Sequence, residues 1–121
     1  MDTETARTGR IIGCAIAVSR ALGSGFLEKI YEGALAHELR KSRFVVETQK
    51  PFSVIYDGVV VGEYRADLIV DQRVIVEVKA TRSIDPAHQA QILNYMKATA
   101  LTHGLILNFG SPRLGIKRLL R

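Results

Sequence analysis

The first third of the chain carries apolar residues at helical spacing. One predicted helix has its buried side chains at Ile11, Ala15, Val18 and Leu22. The run Gly23-Ser24-Gly25 interrupts this pattern and ends the helix. A second helix is predicted from about Phe26 to Lys41, with its buried stripe at Leu27, Ile30, Ala34 and Leu39. The chain therefore begins with two amphipathic helices joined by a glycine-rich loop.

An alternation of period two follows these helices and predicts strands. Phe44 to Thr48 and Pro51 to Tyr56 are two short strand candidates, and Asp57-Gly58 is a strong signal for a hairpin turn. From Val59 to Ala80 the even-numbered positions are mostly apolar, whereas ionisable side chains gather at the odd-numbered positions. We therefore expect one face of this sheet to pack on a core and the other face to collect ionisable groups.

The last third predicts one more helix and one more strand. Asp85 followed by Pro86 is typical of a helix start, so a third helix is expected from there to about Ala100. Leu105 to Phe109 has the composition of a buried strand, and the tail after Ser111 carries basic residues without an acid. This order of elements predicts an α/β fold in which helices cover a mixed β-sheet.

Length and composition restrict the class of protein. A chain of 121 residues, 47% of them hydrophobic, suits a single domain over residues 1–121 and is too apolar for a disordered protein. The longest apolar stretch, Ile11 to Val18, is far short of the ~20 residues that cross a membrane, and the N-terminus has no apolar signal segment. The single cysteine, Cys14, excludes a disulfide framework and a cysteine zinc cluster. We therefore expect a cytoplasmic protein.

The charge balance favours a polyanionic partner. Lysines and arginines number 17 against 12 acids, which gives a formal net charge of +5. A basic domain attracts nucleic acid over long distances, but net charge by itself is a weak sign of such a partner. The positions of particular residues therefore have to decide whether the partner is nucleic acid.

Three ionisable residues on neighbouring predicted strands form the chemical centre of the sequence. Glu77 and Lys79 are two residues apart and share a face, and Asp67 joins that face only if the connection between the strands has an odd length. An odd register, such as Val70 beside Val74, also groups the valines on one face. We therefore predict an odd loop or a bulge between these two strands.

A carboxylate pair in this arrangement suits a metal ion. Asp67 and Glu77 would repel each other at a Cβ separation of ~5 Å unless a cation lies between them, and Mg²⁺ or Mn²⁺ prefers such oxygen ligands. Lys79 could orient a metal-bound water or stabilise the charge that develops on a phosphate. The alternative is a cross-strand salt bridge at the surface, which contributes little to stability.

Several motifs along the chain resemble one family. Gly25, Glu28 and Tyr31 have the spacing G-x-x-E-x-x-Y, and further matches are Arg65-Ala66-Asp67-Leu68, Val76-Glu77-Val78-Lys79, Gln89-Ala90-Gln91 with Tyr95, and Leu107-Asn108-Phe109-Gly110. From about Ile11 to Arg118 the sequence resembles the GxxExxY protein family, which is assigned to the PD-(D/E)XK nuclease superfamily. The resemblance implies a restriction-endonuclease-like core in the order α-β-β-β-α-β.

The resemblance also assigns roles to residues. It implies that Asp67, Glu77 and Lys79 are the metal-binding and catalytic triplet, with Glu28 as a further acidic residue from the first core helix. For Glu28 the alternative is an acid of the first helical turn that is favoured by the helix dipole. The chain departs from the family pattern at Ser19, where members commonly have histidine, and this weakens the resemblance at that position.

Other residues are candidates for contact with the substrate. Gln91 and Tyr95 are four residues apart on the third predicted helix and therefore share a face. Their Q-x-x-x-Y spacing resembles a motif of RecB-like nucleases, which implies that Gln91 hydrogen-bonds a catalytic group or a phosphate. The alternative is a pair of surface residues on a helix. Arg65 and Lys50 are candidates for phosphate contact, although a solvated charge also explains Lys50. Tyr31 completes the candidate set, with core packing as its alternative.

We therefore expect a metal-dependent nuclease that hydrolyses phosphodiester bonds, of DNA more than of RNA. In this hypothesis Asp67 and Glu77, with help from Glu28, hold Mg²⁺ or Mn²⁺. The alternative is a non-catalytic module that binds nucleic acid or protein on a nuclease-like fold. Several small nucleases of the superfamily act as homodimers, so the resemblance also raises the question of a homodimer.

Overall fold

The computed structural model describes residues 3–121 of the chain. Its helices are α1 (Thr3–Leu22), α2 (Glu28–Lys41) and α3 (Pro86–Thr99). Its strands are β1 (Val46–Tyr56), β2 (Val59–Val70), β3 (Val74–Lys79), β4 (His103–Asn108) and β5 (Gly115–Leu120). The three predicted helices are therefore present, in the predicted order.

The strands of the described part form one mixed sheet in the order β1-β2-β3-β4-β5. Neighbouring strands run antiparallel, except for β3 and β4, which are parallel. A parallel pair needs a long crossover connection, and α3 provides it between β3 and β4. The prediction of an α/β fold with helices flanking a mixed sheet is confirmed, and the architecture is consistent with a restriction-endonuclease-like core.

Each face of the sheet packs against different helices. One face lies against α1 and α2, and its strands contribute to the larger core Leu68, Val70, Val74, Val76 and Val78. The other face lies against α3 and forms a second core that contains Ile69, Ile75, Ile92, Met96 and Ile106. The prediction that this second face collects ionisable groups is wrong for its centre, because α3 covers isoleucines there. The ionisable residues lie instead at the end of the sheet where β2 and β3 separate.

The basic tail forms a strand that the sequence pattern did not predict. β5 pairs antiparallel with β4 along its whole length. Leu119 is buried in the second core, and the Arg118 guanidinium donates to Thr8 Oγ1 of α1 at 3.0 Å. Basic side chains dominate the tail, so its apolar alternation is too short to indicate a strand. The element order therefore gains a final strand relative to the prediction.

β1 is one continuous strand, whereas the sequence predicted two. The predicted gap falls at Gln49, whose φ of +52° is unusual for a residue other than glycine. Thr48 and Lys50, on either side, remain paired with Leu68 and Ala66 of β2. The strand is therefore distorted at Gln49 without ending there.

The hairpin of β1 and β2 extends beyond the rest of the sheet. Asp57 and Gly58 both have positive φ and connect Tyr56 to Val59 as a two-residue turn, which confirms the predicted turn. β2 pairs with β3 only through its last residues, 68–70. Residues 53–63, which we call the hairpin arm, therefore pair with each other and with no third strand of the described sheet.

The start of α3 follows its sequence signals. Asp85 Oδ1 accepts a hydrogen bond from the Ala87 N–H at 2.8 Å, and Pro86 occupies the first helical position. Ala100, with a φ of +63°, ends the helix in the left-handed conformation. Among the helices of residues 3–121, none combines the length and apolar character needed to cross a bilayer.

Candidate active site

The connection between β2 and β3 has the odd length that the sequence predicted. Residues 71–73 form a three-residue loop that places Val70 beside Val74. The ladder between the strands ends two pairs later, where β2 begins to leave β3. The predicted register is therefore confirmed, and it brings Asp67 and Glu77 to the point where the two strands separate.

Beyond this point, carboxylate side chains accept hydrogen bonds from backbone N–H groups at the end of β3 and just after it. Asp67 Oδ2 accepts from the Val78 N–H at 2.9 Å, and Glu28 Oε2 accepts from the Ala80 N–H at 3.2 Å. Val78 and Ala80 are two residues apart, so both N–H groups point to the side that β2 has left. Two acids from different elements are thereby fixed roughly 7 Å apart along β3.

Glu77 is a buried carboxyl group beside Asp67. Its side chain is only 6% exposed, and its Oε1 accepts hydrogen bonds from the Tyr64 hydroxyl and, at 3.4 Å, from the Asp67 N–H. Burial and, to a smaller extent, the negative charge of Asp67 together raise the pKa of Glu77 to about 8. The Tyr64 hydrogen bond opposes this shift only in part. Asp67 is therefore close enough for its charge to disfavour the charged form of Glu77.

Tyr64 and Tyr95 connect this pair of acids to α3. The rings of Tyr64 and Tyr95 stack, and the Tyr64 hydroxyl points to Glu77. Burial and the neighbouring charge of Glu77 raise the pKa of Tyr64, so its hydroxyl stays a donor at neutral pH. The sequence singled out Tyr95 but missed Tyr64, which precedes the Arg65-Ala66-Asp67-Leu68 motif directly.

A second network of polar groups holds the other oxygen of Asp67. Gln49 Nε2 donates to Glu32 Oε1 at 2.8 Å and to Asp67 Oδ1 at 3.4 Å. Glu32 is 8% exposed and lies on α2 one turn after Glu28. The sequence reasoning missed both Gln49 and Glu32. The four-residue spacing of Glu28 and Glu32, which places them on the same side of a helix, was the available signal for Glu32.

Lys79 and Asn108 lie side by side at the ends of the parallel strands β3 and β4. Lys79 is half-buried and shares its face of β3 with Glu77. The Asn108 amide accepts from the N–H groups of Thr81 and Gly110 at 3.0 Å each, and it donates to the Thr81 carbonyl at 2.9 Å. Asn108 therefore joins the two loops that follow these strands, and Lys79 lies next to this fixed point.

The G-x-x-E-x-x-Y motif forms the start of α2. Gly25 has a φ of +111°, which favours glycine, and Glu28 is the first residue of the helix. The Tyr31 hydroxyl donates to the Gly23 carbonyl at 2.5 Å and accepts from the Phe26 N–H at 3.2 Å. Tyr31 is fully buried, which agrees with its packing interpretation. The tyrosine thus fixes the loop that presents Glu28 to β3.

The remaining candidates lie around this centre without contacting its carboxylates. Arg65 is exposed, pairs with Glu63 at 3.0 Å and donates to the Gln49 carbonyl at 3.3 Å. Lys50 pairs with Glu47 at 2.6 Å. Gln91 is exposed on α3, one turn before Tyr95. These side chains are available for a bound substrate, whereas Asp67, Glu77, Glu28 and Lys79 already converge on the end of β3.

The carboxylate oxygens of Asp67 and Glu77 are ligands of the kind that a hard cation prefers. None of the ion pairs found within residues 3–121 involves Asp67 or Glu77, so the repulsion that raises the Glu77 pKa is not neutralised by a basic side chain. The described residues contain no group of three or more His, Cys, Asp or Glu side chains arranged to hold a metal ion, so Glu28 does not complete such a group. A Mg²⁺ site commonly uses one or two carboxylates together with water and substrate phosphates. Asp67 and Glu77 fit this type of open site.

Comparison with known families places the chain in a class. A family model described as the PD-(D/E)XK nuclease superfamily matches residues 5–119. The chain therefore belongs to the PD-(D/E)XK nuclease superfamily. Comparisons with curated proteins and with solved structures gave no match. Membership in this superfamily implies a nuclease-like function and an interaction with nucleic acid.

Proposed function

We propose that this chain is a metal-dependent nuclease that hydrolyses phosphodiester bonds. The observation that carries the proposal is the adjacent, uncompensated pair Asp67 and Glu77 beside Lys79, at the separation of β2 and β3, in a chain of a nuclease superfamily. A fold that needed these positions only for stability would gain nothing from burying a carboxyl group beside a second acid. The motif spacing supports placing the chain in the GxxExxY family. We also propose that residues 1–121 form one nuclease-like domain and that the protein acts in the cytoplasm.

Asp67 and Glu77 are the residues that would hold Mg²⁺ or Mn²⁺. A bound ion would polarise the phosphate and lower the pKa of an attached water. The chain's own part is to fix the ligands: the Val78 N–H and Gln49 orient Asp67, while Tyr64 orients Glu77. Glu28, held on the Ala80 N–H, supplies a further acid next to this pair.

Lys79 is the residue that would stabilise the charge that develops on the phosphate. It is half-buried beside Glu77, and none of the ion pairs in the described residues involves it. A cation held in a partly dry environment interacts more strongly with an anion than one at an open surface. Gln91 with Tyr95 on α3, and Arg65 with Lys50 on the neighbouring strands, are proposed to contact the substrate around this centre.

The charge distribution supports a nucleic-acid substrate. Residues 1–85 contain 12 basic and 12 acidic residues, while residues 86–121 contain 5 basic residues and no acid, so the net charge of +5 arises entirely in the last part of the chain. This part includes β4 and β5, next to the end of β3 that carries Lys79. We propose DNA ahead of RNA, because the fold is consistent with the restriction-endonuclease-like class.

A cleavage assay tests the proposal. End-labelled single-stranded, double-stranded and branched DNA and RNA are incubated with the protein in Mn²⁺, and EDTA serves as the metal-free control. We expect cleavage in Mn²⁺ that is lost in EDTA and falls at least ~100-fold in Lys79→Ala. Lys97→Ala, an exposed lysine in the last turn of α3, is the matched control and should cleave like the wild type.

Binding measurements separate this function from its alternative. Calorimetry with Mn²⁺ should show binding to the wild type and a large loss in Asp67→Asn and Glu77→Gln. Nucleic-acid binding that persists in EDTA and in Asp67→Ala, without cleavage by the wild type in any metal, would contradict the nuclease. That result would instead support a non-catalytic binding module.

A further inference from the structure

The start of α2 exposes three large apolar side chains, which we call the α2 patch. Phe26, Leu27 and Ile30 are 45%, 76% and 44% exposed. The sequence pattern predicted that Leu27 and Ile30 face the core, and this prediction is wrong. The residues that α2 buries instead are Tyr31, Glu32, Leu35, Ala36 and Leu39. The α2 patch is therefore apolar surface that the fold leaves in contact with solvent.

Leu27 occupies the N-cap position of α2, where leucine is a poor residue for the helix. Its side chain makes no capping hydrogen bond, whereas serine, threonine, aspartate or asparagine would accept one from the first turn. Because most of its surface is exposed, Leu27 also contributes little to the core. A residue that departs from local preferences without a gain in stability is typical of a functional surface.

Buried aromatic residues fix the loop that carries Phe26. The Phe26 N–H donates to the Tyr31 hydroxyl at 3.2 Å, and this hydroxyl donates to the Gly23 carbonyl. The rings of Phe26 and Tyr31 meet edge to face with their centroids 6.1 Å apart, and Tyr31 in turn stacks on buried Phe109. Phe26 is therefore held in place before any ligand binds, which lowers the entropy that binding costs.

The α2 patch adjoins the proposed active site. Its residues flank Glu28 in the chain, and Glu28 Oε2 accepts a hydrogen bond at 3.2 Å from the N–H of Ala80, the residue after Lys79. Lys29 is exposed in the same helical turn, and none of the ion pairs found within residues 3–121 involves it. Apolar surface and positive charge therefore lie together beside the carboxylates.

An unpaired nucleobase is the occupant that suits this surface. The three exposed fractions correspond to roughly 300 Å², well below the ~800 Å² per partner that a stable protein interface buries. A nucleobase is smaller, stacks on an aromatic ring through its flat face, and carries a phosphate that a lysine attracts. In a duplex the neighbouring bases cover these faces, so the nucleotide has to be unpaired.

We propose that the α2 patch binds an unpaired nucleobase of the substrate beside the scissile phosphate, with Phe26 as its stacking partner. This inference rests on the nuclease function proposed above and specifies its class of substrate. That class is nucleic acid with unpaired nucleotides at the site, either in a single strand or at a branch. The three side chains of the patch carry no hydrogen-bonding group, so binding should be tolerant of the identity of the base.

Fluorescence anisotropy in EDTA measures this binding without cleavage. We expect Phe26→Ala to lower the affinity for a single-stranded DNA oligonucleotide roughly tenfold, because a stack between a base and an aromatic ring is lost. Phe26→Tyr keeps the ring and should retain the affinity of the wild type. An abasic oligonucleotide of the same length has the phosphates without the bases, so it should bind Phe26→Ala and the wild type equally.

Leu27→Ser separates binding from folding. Serine can cap α2, so this variant should unfold at a higher urea concentration than the wild type, while its affinity for single-stranded DNA falls about threefold through the lost apolar contact. Leu120→Ser is the matched control and should retain the affinity of the wild type. Leu120 is 70% exposed, but it pairs with His103 at the end of the sheet opposite Lys79.

Three outcomes would overturn the proposal. The first is an equal loss of affinity for the single-stranded and the abasic oligonucleotide in Phe26→Ala. The second is wild-type affinity for single-stranded DNA in Leu27→Ser, and the third is a wild type that does not bind single-stranded DNA. The nuclease function fails on a different observation, the absence of cleavage in Mn²⁺, so the two proposals can fail separately.

Discussion

At the scale of single residues, Glu77 holds a carboxyl group where its charged form is unfavourable. It is 6% exposed, and its neighbour Asp67 carries the same charge. Tyr64 and the Asp67 N–H orient the group but compensate it only in part. A cation would reverse this balance, because both carboxylates then become ligands. The side chain therefore destabilises the metal-free fold and prepares the site for an ion.

The metal-free protein should lose stability as pH rises from about 4.5 to about 8. The ordinary pKa of a glutamate is 4.5 and the folded pKa of Glu77 is about 8, so in this range the folded state keeps a proton that the unfolded state releases. The contribution of Glu77 to the free energy of unfolding is therefore full below pH 4.5 and is lost as pH rises through 8, by a few kcal/mol. Urea unfolding in EDTA at pH 5 and pH 9 measures this loss.

Glu77→Gln is the variant that isolates this effect. The amide keeps an acceptor for the Tyr64 hydroxyl and carries no charge, so the difference in unfolding free energy between pH 5 and pH 9 should shrink. Glu63→Gln is the control, because the Glu63 side chain is 52% exposed and should leave the difference unchanged. An identical pH dependence in the wild type and Glu77→Gln would contradict the prediction.

At the scale of elements, local signals predicted some features and tertiary contacts decided others. The hairpin turn at Asp57-Gly58, the cap at Asp85 and the odd register of Asp67 follow from residue types and alternation, and the structure has all three. β5 was missed because its stability comes from pairing with β4, which its own basic sequence does not reveal.

The same division applies to the candidate site. Asp67, Glu77 and Lys79 were predictable because their spacing along two strands fixes their relative position. Gln49 and Tyr64 were not, because each acts through a side chain that reaches a residue distant along the chain. Gln49 also adopts a backbone conformation that no local pattern indicated.

The distortion of β1 at Gln49 should cost stability and serve the site. Its φ of +52° is unfavourable for a side chain with a Cβ atom, whereas its amide bridges Glu32 and Asp67. Gln49→Gly removes both the strain and the amide, while Gln49→Ala removes only the amide. We expect Gln49→Gly to be more stable than Gln49→Ala by about 1 kcal/mol in urea unfolding.

Metal affinity, unlike stability, should fall equally in the same two variants. Both lack the amide that orients Asp67, so Mn²⁺ affinity measured by calorimetry should fall roughly tenfold in each. Thr48→Ala, an exposed neighbour in β1, is the control for an effect of the strand in general. Wild-type affinity in Gln49→Ala would show that the amide does not position Asp67.

At the scale of the whole molecule, charge and apolar surface occupy different parts. The net positive charge arises in residues 86–121, whereas the hairpin arm carries exposed apolar side chains without a basic residue. The strands of the first part pair on the β4 side of β3, whereas the arm continues from β2 on the other side of β3. This separation leaves the positively charged part of the chain to interact with a polyanion, away from the apolar arm.

A cleft near this end of the sheet provides the last prediction. It has a volume of about 390 Å³ and is lined by Arg20 at the end of α1 and by Arg113 in the loop after β4, with apolar residues between them. None of the ion pairs of residues 3–121 includes either arginine. Asn108 ties the start of the same loop to Thr81, two residues beyond Lys79. We therefore expect both arginines to bind phosphates that flank the site.

The contacts of Arg20 and Arg113 with phosphates should appear in the salt dependence of the affinity for duplex DNA. Each phosphate contact contributes about 0.9 to the slope of log affinity against log salt, so Arg20→Ala/Arg113→Ala should reduce the slope by roughly 2. Fluorescence anisotropy in EDTA, at several salt concentrations, measures the slope without cleavage. Arg73→Ala is the control, because Arg73 lies in the loop before β3 at the opposite end of the sheet. A reduction in slope of roughly 1 for Arg73→Ala, half that of the double variant, would mean that the arginines act only through net charge, since the position of the cleft would then make no difference.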